Sequence, residues 1–209
     1  MKLHTFSIGL EDATDLKAAQ IVAKYIDSVH TQVIKTKEEF LEAIPDVIYT
    51  IESYDVTTVR ASVGHYLLAK YIKENTDITV LLGGEGADEV MGGYLYFQYA
   101  PTTTDFNNEC INLLQNIHKY DVLRADRCIS SRWGLEARVP FLDKRFVANY
   151  LGIDVGLRVG GKKELITQIM LPSKIFPQLL NKRIHSFGLK IARFLLGDDI
   201  TLDFDMLIN

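Results

Sequence analysis

From Leu3 to Leu82, short apolar runs of strand length alternate with stretches of helical period, and this order restricts the chain to few architectures. Phe6 and Ile8 alternate around Ser7 and the run ends at Gly9, so Leu3–Gly9 reads as a strand entering the polar turn LEDATD. A helix follows, capped by Thr14 or Asp15, with Leu16, Ala19, Ala23 and Ile26 on one face. His30–Lys35 is the next strand. Phe40, Ile44, Val47, Ile48 and Ile51 mark a helix that Pro45 should break or kink. Val59, Val63, Leu67, Leu68 and Ile72 mark another over Thr57–Glu74, and Ile78–Leu82 is a β-branched strand bounded by Asp77 and Gly83. Strand, helix, strand, helix, helix, strand predicts an α/β fold with a mainly parallel sheet. In such sheets ligands collect beyond the carboxyl ends of strands, which directs attention to the loops after Ile8 and Leu82.

Past Tyr94 the pattern changes. Phe106–Lys119 and Tyr120–Trp133 read as helices, and no β alternation returns before the end. The glycine-bearing stretch Leu151–Lys163 reads as a flexible or closely packed loop. The expected division is an α/β nucleotide-binding part over 1–100 and a mainly helical part over 101–209.

Composition removes several classes of function. With 47% hydrophobic and 24% charged residues, 209 residues can bury a core, which excludes general disorder. Lys plus Arg number 23 against 27 Asp plus Glu, a formal charge of -4, so no global basic field would attract nucleic acid. Cys110 and Cys128 lack C-x-x-C spacing and a His cluster, which argues against zinc or a disulfide framework and for a reducing compartment. The start lacks a signal-peptide apolar core, and no run approaches the roughly 20 apolar residues of a membrane span. No repeat period is present. A cytoplasmic protein is expected, with no membrane partner.

The densest chemistry lies in ITVLLGGEGADEVMGGYLYF, where a strand enters two glycines, Glu85, another glycine, then Asp88 and Glu89. Glycines let backbone N–H groups approach phosphate or ribose without an intervening Cβ. Three carboxylates within one turn would repel phosphate unless Mg²⁺ lies between, so a triphosphate reading requires metal. An ordinary strand-to-helix turn capped by acids is the competing explanation.

Four segments in this order, FSIGL, YDVTTVRAS, GGEGADEVMGGYLYF and WGLEARVPFLDK, resemble the synthetase domain of glutamine-dependent asparagine synthetases of the bacterial and eukaryotic type. The resemblance runs from about Leu3 to about Arg145. It implies an ATP-pyrophosphatase fold of the adenine nucleotide α-hydrolase type. Aspartate would attack the α-phosphate of MgATP to give β-aspartyl-AMP and pyrophosphate, and ammonia derived from glutamine would displace AMP to give asparagine. By this resemblance Ile8 is the apolar residue at the adenine ring, and Gly83 and Gly84 are the pair whose backbone holds the nucleotide. Glu85 is the acid for the adenylate step and its breakdown. Asp88 lies near pyrophosphate and its metal, and Lys182 in NKRIHSFG neutralises the leaving pyrophosphate.

The sequence also departs from the family pattern. Gly83 and Ala87 stand where serines are usual, removing hydroxyl contacts. The family's pyrophosphate loop, Ser-Gly-Gly-x-Asp-Ser, belongs upstream of the FSIGL strand, where this sequence has only a few residues. The glutaminase domain, whose Cys nucleophile follows the initiating Met, is likewise missing, and Lys2 occupies that position. Without the loop, its strand leaves an open sheet edge. Lost charge-assisted hydrogen bonds at roughly 1.5–3 kcal/mol each weaken ATP binding. The expectation is an incomplete parallel sheet, no synthesis by this polypeptide alone, and a separate polypeptide carrying the glutaminase domain and the loop. The alternative is a non-catalytic relic that associates with an intact synthetase.

Other residues have two readings each. Arg60 can bind the aspartate carboxylate bidentately, but an N-capping cluster of Asp55, Thr57 and Thr58 with a surface Arg explains the same letters. His30 and His65 read as satisfied structural histidines rather than ligands. Trp133 reads as a packing anchor, Glu136 and Arg138 as a buried or interface ion pair, and both cysteines as small buried apolar groups.

Overall fold

A computed structural model describes residues 2–160. Among them the chain forms two compact units. One runs to Gly83 and resumes over Ile117–Arg138; the other comprises Gly84–Asn116 and, among the described residues, 139–160.

The first unit holds every described strand. Parallel strands need a crossover, and α1 (Thr14–Tyr25) supplies it between β1 (His4–Gly9) and β2 (Val29–Ile34), paired in register from His4↔Val29 to Gly9↔Ile34. Gly9 permits the tight turn into α1, since a Cβ there would lie 3.0 Å from that of Ala13. The expected cap is not realised: Thr14 is already helical, and Ala13 at the N-cap offers no side-chain acceptor. Leu16, Ala18, Val22 and Ala23 are the buried positions of α1, so Ala18 and Val22 replace the expected Ala19 and Ile26.

The break expected near Pro45 is present. α2 (Lys37–Glu42) begins with a capping box in which Glu39 N–H donates to Thr36 Oγ1 (3.2 Å) and Thr36 N–H to Glu39 Oε2 (2.7 Å). α3 (Ile44–Ile51) then starts with Pro45 in its first turn, where a missing N–H removes no helical bond. Asp55 caps α4 (Val56–Asn75). Val47 and Ile51 of α3 pack with Val59, Val63 and Tyr66 of α4 and with Cys128. Farther along α4, Ala69 and Ile72 meet Leu135, Phe6, Ile78, Leu81 and Trp133, so this one helix covers residues of both β1 and the next strand.

That strand, β3 (Val80–Leu82), pairs in parallel with β4 (Glu136–Arg138). β4 contradicts the expectation that no strand follows Tyr94. Glu-Ala-Arg carries no alternation, and its strand character comes from pairing with residues more than fifty positions away. The described residues form two two-stranded parallel sheets rather than one continuous sheet, and β1 and β3 are each paired along one edge only. Between β3 and β4 the chain also forms α5 (Ala87–Met91), α6 (Thr103–Asn116), a 3-10 turn over Ile117–Lys119, α7 (Asp121–Arg124) and a π-helical segment over Ala125–Ser131. Among these, the 3-10 turn, α7 and the π-helical segment return to the first unit.

In the second unit Phe97, Phe106 and Cys110 form a core with Leu113, Leu151, Val155 and Val159. Asp143 caps α8 (Lys144–Leu151), accepting from the N–H groups of Arg145 and Phe146 at 2.9 and 3.2 Å. Val155–Gly160 forms a short helix, α9, where a loop is expected, because Val155 and Val159 have an apolar core to join. No described helix is long and apolar enough to cross a membrane.

Candidate functional site

The glycine turn begins where β3 ends. Gly83 N–H donates to the Arg138 carbonyl at 2.8 Å and prolongs the parallel ladder by one residue. The Gly84 carbonyl accepts from Ala87 N–H at 3.2 Å as α5 starts. Among the described residues, the Gly83 carbonyl and the Gly84 N–H enter no backbone hydrogen bond. An acceptor and a donor therefore sit on consecutive residues beyond the carboxyl end of a parallel strand, with no Cβ on either. Glycine is required next as well: Gly86 has φ +87°.

The acids in this segment have different environments. Glu85 and Glu89 are buried, at 2% and 1% exposure, and Asp88 is half-buried. The Tyr94 hydroxyl donates to Glu89 Oε1, which makes Glu89 part of the second unit's interior. Asp88 Oδ1 lies over Gly93, 2.2 Å from where a Cβ there would stand, and Gly93 N–H donates to the Asp88 carbonyl at 2.9 Å. The second glycine pair thus accommodates the Asp88 carboxylate and the α5 terminus. No group of three or more His, Cys, Asp or Glu side chains among the described residues could hold a metal. Mg²⁺ keeps several waters and takes one or two carboxylates plus substrate phosphates, so Asp88 suits a single ligand.

The remaining nominated residues lie in the first unit. Ile8 packs over α4 at Gly64, its Cγ2 3.8 Å from where a Gly64 Cβ would be. Arg60, one turn before Gly64 on the same helix, is exposed. The N-capping cluster is present: Asp55 Oδ2 accepts from Thr58 N–H and from Thr58 Oγ1, both at 2.7 Å, and these bonds hold the Asp55 carboxyl below its ordinary range. Lys182 lies outside the described residues.

His30 bonds Thr5 Oγ1 (2.9 Å) and Ser7 Oγ (3.1 Å), a satisfied structural histidine as expected. Burial pushes His65 down to about 3, with Arg124 adding repulsion. Trp133 packs against Tyr66 with ring centroids 5.2 Å apart. The Glu136–Arg138 pair forms at 2.7 Å, but both side chains are more than half exposed, so it is a surface pair rather than a buried one. Burial raises both cysteine thiols to about 11, so neither is an activated nucleophile. The sequence reading missed two buried cations. Arg124 pairs with Asp121 in the first unit, and Arg158 donates to Asn107 and, at 3.2 Å, to the Ile153 carbonyl in the second. The i,i+3 spacing of Asp121 and Arg124 is a legible signal; nothing local marks Arg158.

The Asparagine synthase family model matches residues 1–108 and 98–172. The chain is similar to the glutamine-hydrolysing asparagine synthetase of Mesocricetus auratus, 47% identical over 179 residues, covering 84% of this chain and 32% of the relative. The proteins of the same name from Homo sapiens and Gallus gallus are each 46% identical over the same coverage. The chain thus spans about a third of the length of the curated relatives it matches. With a family match across most of its described residues and close to half of aligned positions shared, the chain belongs to the asparagine synthase family.

Proposed function

We propose that this chain carries the nucleotide-binding and adenylate-forming residues of an asparagine synthetase, on an ATP-pyrophosphatase-type fold. The observation that carries this reading is the glycine turn after β3, where a Gly83 carbonyl and a Gly84 N–H that enter no backbone hydrogen bond among the described residues precede the buried carboxyl of Glu85. Side by side, an acceptor and a donor match the donor and acceptor on a nucleobase edge. Ile8 supplies an apolar contact to the adenine ring, and exposed Arg60 takes the aspartate α-carboxylate bidentately.

A side-chain carboxylate oxygen of aspartate attacks the α-phosphorus of ATP, and the bond to the bridging oxygen breaks, releasing pyrophosphate. Ammonia then attacks the acyl carbon, the acyl–oxygen bond breaks, and AMP leaves with asparagine formed. Glu85 accepts the proton that the attacking ammonia loses. Mg²⁺, when bound, offsets phosphate charge, and Asp88 is the residue that would hold it; Lys182 is assigned to the leaving pyrophosphate. Because three carboxylates follow the glycines and no described cationic cluster balances a triphosphate there, the 209-residue polypeptide is proposed to turn nothing over alone. A polypeptide bearing the glutaminase domain and a pyrophosphate-binding loop would complete it.

The test mixes the chain with a polypeptide comprising the remainder of a relative and measures pyrophosphate release from MgATP with aspartate and ammonia. Aspartate-dependent release from the mixture, absent from either part and abolished by Glu85→Gln, is the expected result. No release from any such mixture overturns the reading. A second reading, a non-catalytic fragment that associates with an intact synthetase, is favoured by Gly83 and Ala87, which lack hydroxyls. It predicts that Glu85→Ala leaves association and any effect on the intact enzyme unchanged.

A further inference from the structure

The first unit carries a concavity at the end of α3. This cleft of about 450 Å³ is lined by Ile48, Tyr49, Tyr54, Arg127, Ser131 and Arg132 among others, and its volume lies within the range of small-molecule sites, roughly 300–1,000 Å³. Glu52, with φ 55°, ends α3 in a left-handed turn, and the chain continues so that Tyr54 lines the same cleft as Tyr49. Both rings are largely in water, at 81% and 86% exposure.

The two guanidinium groups differ. Arg127 stands 3.3 Å from Glu52 and 3.7 Å from Asp126, so its charge is already matched. Arg132 has no carboxylate in salt-bridge contact among the described residues. Its guanidinium carbon lies 5.3 Å from the centroid of the Trp133 ring, beside the Tyr66 hydroxyl. Trp133 and Tyr66 are packed against each other and into the core, so the cation is backed by rigid rings rather than by a flexible acid. A guanidinium carries five N–H donors, so one engaged by the Tyr66 hydroxyl still leaves a pair for a carboxylate.

We propose that this cleft binds a small organic monoanion with a flat ring, its carboxylate taken by Arg132 and its ring laid against Tyr49 and Tyr54. Glu52 and Asp126 on Arg127, together with nearby Asp46, make the rim acidic and disfavour polyanions such as a nucleoside triphosphate. The site is therefore separate from the glycine turn in its chemistry as well as in its residues.

Trp133 is the one tryptophan in the sequence, so its indole N–H gives a single resonance adjacent to Arg132. The test follows that resonance in the full chain during titration with benzoate, with uncharged benzamide and with inorganic phosphate. A saturable millimolar shift with benzoate is expected, at least fivefold weaker with benzamide and with phosphate. It should also be at least fivefold weaker in Arg132→Gln and in Tyr49→Ala. Arg132→Lys, which keeps the charge and loses the fork, should weaken benzoate binding while the rest of the spectrum is unchanged. An equal response to benzamide or phosphate, an undiminished response in Arg132→Gln, or no saturable shift overturns the proposal.

Discussion

Gly86 sits directly beneath Leu142: a Cβ built on Gly86 would lie 2.1 Å from Leu142 Cδ2, in a backbone conformation of φ +87° that side chains rarely adopt. Two independent penalties therefore meet at one position, the left-handed conformation and the overlap. Gly86→Ala should destabilise the chain by about 2–5 kcal/mol, measured by urea denaturation. Leu142→Ala in the same chain should recover part of that loss, because it removes the overlap and leaves the backbone strain. Full additivity of the two substitutions would show that the side chains do not meet.

Glu89 is 1% exposed, and the Tyr94 hydroxyl donates to its carboxylate. Taking away a donor from a buried acceptor costs more than the bond itself returned on folding. Tyr94→Phe keeps the ring that packs on Tyr96 and Phe97 and removes only the hydroxyl. It should lower stability by about 1–3 kcal/mol, with the loss shrinking in Glu89→Gln, whose neutral amide is cheaper to desolvate.

His65 gives stability a pH dependence of defined sign. In the folded chain its ring stays neutral to about pH 3, whereas in the unfolded chain it takes a proton near 6.5. Below 6.5 the unfolded state binds more protons, so the contribution present at neutral pH is lost as pH falls, by up to about 1.4 kcal/mol per pH unit. His30 is lowered in the same direction by burial and adds to the slope. Denaturation midpoints measured between pH 7 and 5 should fall for the natural chain and fall less for His65→Gln. Equal slopes for the two would mean that His65 titrates in the folded state as it does in the unfolded one.

What the sequence reveals here follows the range of the forces involved. α4 is visible because Val59, Val63 and Ile72 recur at helical spacing and Asp55 supplies a cap, both local signals; the break at Pro45 is visible for the same reason. β4 is invisible because Glu136–Arg138 becomes a strand only by pairing with Val80–Leu82. In the candidate site, the glycine and acid spacing is plain from the letters. That Gly83 N–H is engaged by Arg138, or that Glu89 rather than Asp88 is sealed from solvent, depends on tertiary packing. The Arg132 cleft has no sequence signal, since its residues come from two segments more than seventy positions apart and show no common motif.

The start of α4 separates the two readings of Arg60. Asp55 accepts two hydrogen bonds from Thr58 and closes the N-terminus of a twenty-residue helix, whereas Arg60 is exposed. Asp55→Ala should lower Tm by roughly 2–4 °C, the usual effect of a lost cap in a chain of this size. Arg60→Ala should leave Tm unchanged, because an exposed cation on a capped helix contributes little to folding. If Arg60 binds the aspartate carboxylate, the same substitution in the complemented, pyrophosphate-releasing mixture should raise KM for aspartate at least tenfold while KM for ATP stays within twofold. An equal rise in both constants would instead place Arg60 in the general support of the fold. No change in either would leave it a surface residue, its position in YDVTTVRAS explained by the cap alone.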